Sequence, residues 1–303
     1  MRELKIKNIT WVSVVKPKRA DVEALGERFP KIHSLVLDEL LKPTIRPRAE
    51  KYGECLFMVF HFLNPGKEDG RKHLFHEIDF ILLPEALITV QYDNHNLLEK
   101  SWNENKDEAI EERYGETPAH FLYYFIRGYF HALARDLEQI QLKMALAEEK
   151  VFAGSESTTL KDVAYLRKQL LDYRRILGPE RATLESLSLY GSKLYGEESK
   201  HFLEDLVREY LRIWNMLENQ KEVLDALYDT NNSLLMLKSN LAIKNLTLLA
   251  LMTFIPMTLI GLFGMNVFGT PLTRGDSAFW TITVFIIVIT AVIYRILKWR
   301  KLV

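Results

Sequence analysis

Three absences set the first limits on this chain of 303 residues. It contains one cysteine, Cys55, which excludes an internal disulfide and fits a reducing compartment. Neither glycine nor proline occurs after Glu198 until Pro256, so no residue in that stretch favours the end of a helix. The segment from Leu246 to Phe263 contains no charged residue, and the segment from Ala278 to Leu297 contains only Arg295. Each is close to the roughly 20 residues that a helix needs to cross a bilayer.

Charge is distributed unevenly along the chain. Of the 40 Lys+Arg and 40 Asp+Glu residues, only six basic residues and one acidic residue follow Asn240, which leaves 34 basic and 39 acidic residues before it. An acidic body joined to a membrane anchor with a basic end suits a protein that gathers cations. No basic face dominates, so nucleic acid is not expected as a partner.

The basic residues that flank the two apolar segments predict the topology. Lys244 precedes the first segment, and Lys298, Arg300 and Lys301 follow the second. By the positive-inside rule both flanks are cytoplasmic, so residues 1–240 are expected in the cytosol and the protein in the cell membrane, with both termini inside. The N-terminal residues 1–5 are charged and predict no secretory signal.

Hydrophobic patterning predicts an α+β cytosolic domain over 1–117, then long helices. Strands are expected at 9–15, 55–63, 76–83 and 86–92, and helices at 19–29 and 34–41. The remaining segments are cytosolic helices over 118–197, with breaks at Ala153-Gly154-Ser155 and at Gly178-Pro179, and a long helix over 198–263 that continues into the first span. A signature and external loop over 264–277, a second span over 278–297 and a basic tail over 298–303 follow.

The long helix carries a heptad pattern. Apolar and amide side chains recur in alternating steps of four and three residues at Leu206, Tyr210, Ile213, Leu217, Gln220, Leu224, Leu227, Asn231 and Leu234. This pattern is typical of a helix that packs lengthwise on other helices. It continues without a break signal into the first span, so a single helix of roughly 100 Å is expected at 1.5 Å per residue.

The first span has the composition of a helix that lines a pore. One face carries small, polar and apolar residues, namely Asn240, Ile243, Thr247, Ala250, Phe254, Met257, Thr258 and Gly261. Neither span contains an acid, so a passing ion would keep its water and meet neutral oxygens, as magnesium prefers. Repeated around a symmetric ring, Asn266 would supply amide oxygens at the outer mouth and Asn240 could supply a second ring at the inner end. Two spans per chain cannot enclose a pore, so self-association is expected.

Gly264-Met265-Asn266, at the end of the first of two C-terminal spans, resembles the signature of the CorA family of divalent-cation channels and transporters. Arg46-Pro47-Arg48 and the basic end that contains Trp299 are also similar to that family. The resemblance implies a funnel-shaped homopentamer that transports magnesium, with cobalt and nickel as other possible transported ions. It implies an outer ring formed by the three signature residues.

The same resemblance implies regulation by the transported ion. In the family, intracellular magnesium bound between neighbouring subunits holds the channel shut. The matching acids are Asp38 and Glu39, facing an acid on the long helix that would be Asp205. Carboxylates that meet across an interface repel one another, and a divalent ion bridges them. No organic cofactor is implied.

Two other interpretations stay open. The loop at 267–272 departs from the family pattern and is closer to the zinc-transporting ZntB branch, so zinc is the alternative ion. The chain could also be a membrane-anchored coiled-coil scaffold that transports nothing. An enzyme is not expected, because no nucleophile–base arrangement, phosphate loop or metal-ligand cluster with suitable spacing occurs.

Overall fold

The computed structural model describes residues 1–6, 9–63, 75–93, 117–154, 156–265 and 278–299. The chain divides into two compact units, Met1–Tyr228 and Asp229–Val303. The strands are β1 (Arg2–Ile6), β2 (Ile9–Val15), β3 (Arg48–Tyr52), β4 (Cys55–Leu63), β5 (Phe75–Leu82) and β6 (Ala86–Gln91). The helices are α1 (Arg19–Arg28), α2 (Ser34–Glu39), α3 (Pro118–Phe152), α4 (Glu156–Tyr195), α5 (Glu197–Gly264) and α6 (Ala278–Trp299).

The six strands form one sheet in the order β1-β2-β6-β5-β4-β3. β2 and β6 run parallel, and the other neighbouring pairs run antiparallel. The four predicted strands are confirmed to within one residue at each end. β1 and β3 escaped prediction because their sequences, Arg-Glu-Leu-Lys-Ile and Arg-Ala-Glu-Lys-Tyr, are edge strands without an apolar run.

Each face of the sheet is covered by helices. On one face, Val22 and Leu25 of α1 and Val36 of α2 pack into a cluster with valine, isoleucine and phenylalanine side chains of the strands. On the other face the contacts are aromatic. The Trp11 ring lies 4.8 Å from the ring of Phe121 in α3. β4 is buried along its whole length because it lies between these layers.

The predicted helix break at Gly178-Pro179 is wrong, because α4 runs from Glu156 to Tyr195 with Pro179 inside it. Proline removes one helical hydrogen bond and usually costs about 3 kcal/mol in a helix interior. Packing on both sides of the proline offsets that cost. Leu177, Glu180 and Leu184 are each fully buried.

Glu180 accepts a hydrogen bond from β4 at the point where β4 extends beyond its neighbour β3. Pairing between β3 and β4 stops at Arg48 opposite Val59. Beyond that point the backbone N–H of His61 donates to Glu180 Oε1 at 2.8 Å. The backbone N–H of Leu63 donates to the Tyr129 hydroxyl at 2.9 Å. Helix side chains therefore replace the missing strand, which a buried backbone requires.

The heptad prediction for α5 is confirmed within the first unit. Its seam residues Leu206, Tyr210, Ile213, Leu217, Gln220, Leu224 and Leu227 are all buried. Two of them also reach neighbouring helices through polar atoms. Gln220 Nε2 donates to the carbonyl of Leu137 in α3 at 2.9 Å, and the Tyr210 hydroxyl donates to the carbonyl of Leu177 in α4 at 3.1 Å.

Two helices in the described part of the chain are long and apolar enough to cross a membrane. They are α5, through its C-terminal part, and the segment Phe279–Leu297 of α6. None of the apolar window of either helix is buried within the chain. These positions agree with the predicted spans.

We expect the stability of the protein to report the protonation of Glu180. Burial raises the pKa of this carboxyl well above its usual value. The unfolded chain ionises near 4.5, whereas the folded chain stays protonated, so the free energy of unfolding should fall as pH rises from about 5 toward the folded pKa, by up to about 1.4 kcal/mol per pH unit. Glu180→Gln keeps the acceptor for His61 and cannot titrate.

Chemical unfolding of the full chain in detergent should therefore show Glu180→Gln gaining stability over the wild type as pH rises from about 5 to 8. Comparing the two proteins cancels the other titrating groups that they share. A difference that stays constant across this range would contradict the assignment of a neutral buried carboxyl.

Candidate ion pathway

The predicted pore residues lie along one stripe of α5. At about 100° per residue, the positions from Asn240 to Gly264 that were predicted to line a pore fall within roughly 120° of the helix circumference. Gly264 is the last residue of α5, and it does not have a positive φ. Met265 follows directly and is 57% exposed, whereas Asn266 lies outside the described residues.

Large apolar side chains on this stripe have no cover within the chain. Ile243 is 59% exposed, Phe254 67% and Met257 72%. Such a concentration of exposed apolar surface on a helix marks contact with lipid or with another protein surface. Within a single chain, these apolar side chains of the stripe therefore lack packing partners.

The hydroxyl groups of the stripe are bonded to their own helix. Thr247 Oγ1 donates to the carbonyl of Ile243 at 2.8 Å, and Thr258 Oγ1 donates to the carbonyl of Phe254 at 2.8 Å. A threonine hydroxyl has one hydrogen and two lone pairs. Because the hydrogen is used within the helix, these side chains can only accept hydrogen bonds from a neighbour.

The predicted regulatory acids have partners within this chain. Asp205 accepts a hydrogen bond from the Tyr123 hydroxyl at 2.8 Å and pairs with Arg208 at 3.1 Å. Glu39 pairs with Arg48, and Asp38 is exposed. Burial, followed by the hydrogen bond to Asp205, raises the pKa of Tyr123 to about 12, so Tyr123 remains a donor at neutral pH. A single chain does not bring Asp38 and Glu39 to Asp205 by any contact among the described residues.

Sequence reasoning missed a group of buried polar side chains on the sheet. Glu77 and Asp79 of β5 point to the same face as His61 of β4, which lies opposite Glu77. Asp79 is fully buried and accepts a hydrogen bond from the Tyr92 hydroxyl at 2.6 Å. Burial raises the pKa of Asp79 well above its usual value. A histidine within an apolar strand and two acids at alternate positions of the next strand were the available signal.

Comparison with known proteins decides the family. The sequence profile described as "CorA-like Mg2+ transporter protein" matches residues 7–299. The chain belongs to the CorA family. It is 26% identical over 299 residues to the cobalt/magnesium transport protein CorA of Thermotoga maritima, an alignment that covers 96% of this chain and 83% of the relative. The CorA family is a transporter family, so the expectation of a non-enzyme is confirmed.

Two further relatives bear on the fold and on the ion. The complete structure of the CorA magnesium transporter from Methanocaldococcus jannaschii superimposes with a TM-score of 0.81 at 21% identity, covering 98% of this chain and 93% of that one. The zinc transport protein ZntB of Yersinia enterocolitica is 23% identical over 295 residues, covering 93% of this chain and 84% of that protein. The CorA-like fold is thus shown, and both branches of the family are similar to this chain.

We expect the hydroxyl oxygens of Thr247 and Thr258 to increase cation flux by accepting hydrogen bonds from the water around the ion. Thr247→Val or Thr258→Val keeps the shape of the side chain and removes its acceptors, so cation flux into proteoliposomes should fall about two- to tenfold, the value of one hydrogen bond. Thr253→Val is the matched control, because Thr253 makes the same helix bond to the carbonyl of Leu249 but lies outside the stripe. Equal flux through all three variants would contradict the assignment of the stripe.

Proposed function

We propose that this CorA-family divalent-cation transporter is a homopentameric magnesium channel whose pore is lined by the α5 stripe. The observation that carries the proposal is the run of exposed apolar and acceptor-only side chains on one face of the first span. Two spans per chain cannot surround a pore, so copies of α5 must do so together. Cobalt and nickel are further ions that such a pore would carry.

The chemistry of the stripe suits a cation that keeps its water. Water molecules bound to a cation point their hydrogens outward, toward acceptors. Thr247 and Thr258 present lone pairs, and Asn266 would present amide oxygens at the outer mouth. Neither span contains Asp or Glu, so no carboxylate holds the ion tightly. Magnesium gives up its water reluctantly, and weak neutral acceptors let it leave.

The proposed topology places both termini and the first unit in the cytosol of the cell. Support comes from the basic residues that flank both spans. The loop between the spans would then lie outside, next to the ring formed by Gly264, Met265 and Asn266. Asn240, at the opposite end of the stripe, would form the inner polar ring.

Closure by intracellular magnesium is the proposed regulation. Asp38 is exposed and Asp205 keeps a third of its side chain exposed, so both are accessible to an ion between subunits. The Asp205 carboxylate already accepts a hydrogen bond from Tyr123 and pairs with Arg208. A bridging ion would share that carboxylate with them, which suits weak and reversible binding.

Zinc is the second candidate ion, favoured by the similarity to ZntB. The loop at 267–272, where the chain departs from the CorA pattern, lies outside the described residues. A membrane-anchored scaffold without transport is not supported, because the family is one of transporters.

Asn266→Ala should abolish magnesium uptake into proteoliposomes, because the outer ring would lose its amide oxygens. Size-exclusion chromatography in detergent should show an unchanged assembly. Asn245→Ala is a suitable control, since Asn245 lies on α5 outside the stripe. Normal uptake by Asn266→Ala would refute the pore assignment and favour a scaffold.

Asp205→Asn should weaken magnesium-dependent protection against protease. Removing one charged ligand from a bridging site should move the protective magnesium concentration up by about tenfold. Glu209→Gln is the matched control, because Glu209 forms a similar pair with Arg212 on the same helix at 3.1 Å. An unchanged protection curve for Asp205→Asn would count against this regulatory site.

A further inference from the structure

A cavity of about 690 Å³ opens on the first unit, and none of the predicted pore residues lines it. It lies where β2 and β6 end side by side, next to Lys16, Tyr92 and Asp93. In open α/β sheets, ligands bind in the crevice beyond the carboxyl ends of parallel strands. The volume is in the range that binds a small organic molecule.

The walls of this cavity are apolar and stiff. Pro43 and Pro47 stand in the segment between α2 and β3, and Phe75 begins β5. Ile45, between the two prolines, is 90% exposed. Prolines restrict the backbone of this wall, so little conformational freedom would be lost on binding.

Glu77 supplies a buried carboxylate to the lining of the cavity. Its side chain is 3% exposed. Oε1 accepts a hydrogen bond from the backbone N–H of Thr44 at 2.6 Å. Oε2 lies 3.4 Å from His61 Nε2 and accepts no N–H hydrogen bond from the described residues, while the side chains of Glu77 and Asp79 hydrogen-bond to each other. The same His61 nitrogen is closer to the carbonyl of Thr44, at 3.2 Å.

Asp93 supplies a second acceptor. Its Oδ2 contacts the Nδ1 of His76, and its buried Oδ1 has no hydrogen-bond partner in the described part of the chain. A buried carboxylate oxygen without a hydrogen-bond donor destabilises the fold. Together with Glu77, Asp93 therefore offers carboxylate oxygens that a ligand with N–H donors could use.

The rim carries the opposite charge. Lys16 and Arg175 line the cavity and are exposed, and neither forms an ion pair among the described residues. With Glu77 and Asp93, the charged groups of the lining balance formally. Within the described ranges, no group of three His, Cys, Asp or Glu residues is placed to hold a metal ion.

From these features we propose that the cavity binds a zwitterionic small molecule of amino-acid or dipeptide size. Its ammonium group donates to Glu77 Oε2, and its carboxylate lies toward Lys16 and Arg175 at the rim. The apolar walls between them take the side chains. A zwitterion fits the balanced charge better than a divalent cation does.

The test is calorimetric titration of the full chain in detergent with leucyl-leucine and leucyl-arginine. The wild type should bind at least one of them. N-acetyl-leucyl-leucine, which lacks the ammonium group, should bind at least about tenfold more weakly, because a charged hydrogen bond is lost. Glu77→Gln and Asp93→Asn should each weaken dipeptide binding by a similar factor.

Glu85→Gln is the matched control, since Glu85 is exposed at the turn before β6, and it should bind as the wild type does. Unchanged thermal unfolding of Glu77→Gln would show that lost binding is not lost folding. The proposal is overturned if the wild type binds neither dipeptide, if Glu77→Gln or the acetylated probe binds as well as the reference, or if magnesium chloride takes the place of the dipeptides. Titration involves no ion movement, so its failure leaves the proposed channel untouched.

Discussion

Burial of the apolar surface of α5 is the constraint on which the rest of the structure depends. In the first unit the chain itself buries the heptad seam of α5, including Leu206, Ile213 and Leu224. In the second unit none of its apolar window is covered. Surface that the chain does not bury must be buried by lipid or by other copies of the chain. The same helix therefore takes part both in the core of the first unit and in an apolar segment that the chain does not cover by itself.

Polar groups of the buried strands and of the apolar α5 stripe are mostly satisfied within the chain. Where β3 ends early, Glu180 and Tyr129 take over its hydrogen bonds to β4. On the α5 stripe, Thr247 and Thr258 satisfy their own hydroxyl hydrogens within the helix. Glu77 Oε2 and Asp93 Oδ1, both at the cavity, are among the buried oxygens that receive no N–H hydrogen bond from the described residues. Unsatisfied groups are expected where a protein binds something rather than where it only folds.

The sequence predicted those features that depend on local pattern. The four apolar strands, the heptad seam of α5 and the two spans follow from periodicity and from runs without charge. Gly264-Met265-Asn266 indicated the family that comparison then showed. Features that depend on tertiary packing were not predictable. Pro179 stays inside a helix because Leu177 and Glu180 are buried beside it. The cavity was not predicted because the residues that line it, from Lys16 to Pro179, are far apart in sequence.

Ion flux into proteoliposomes, measured for magnesium and for zinc, would distinguish a magnesium channel from a zinc transporter. Each ion is supplied with a membrane potential alone and then with an imposed proton gradient. We expect magnesium entry driven by the membrane potential alone, because a channel with neutral acceptors needs no proton to release a hydrated ion. Zinc entry that rises with the proton gradient, without magnesium entry, would contradict this assignment and indicate a proton-coupled zinc transporter.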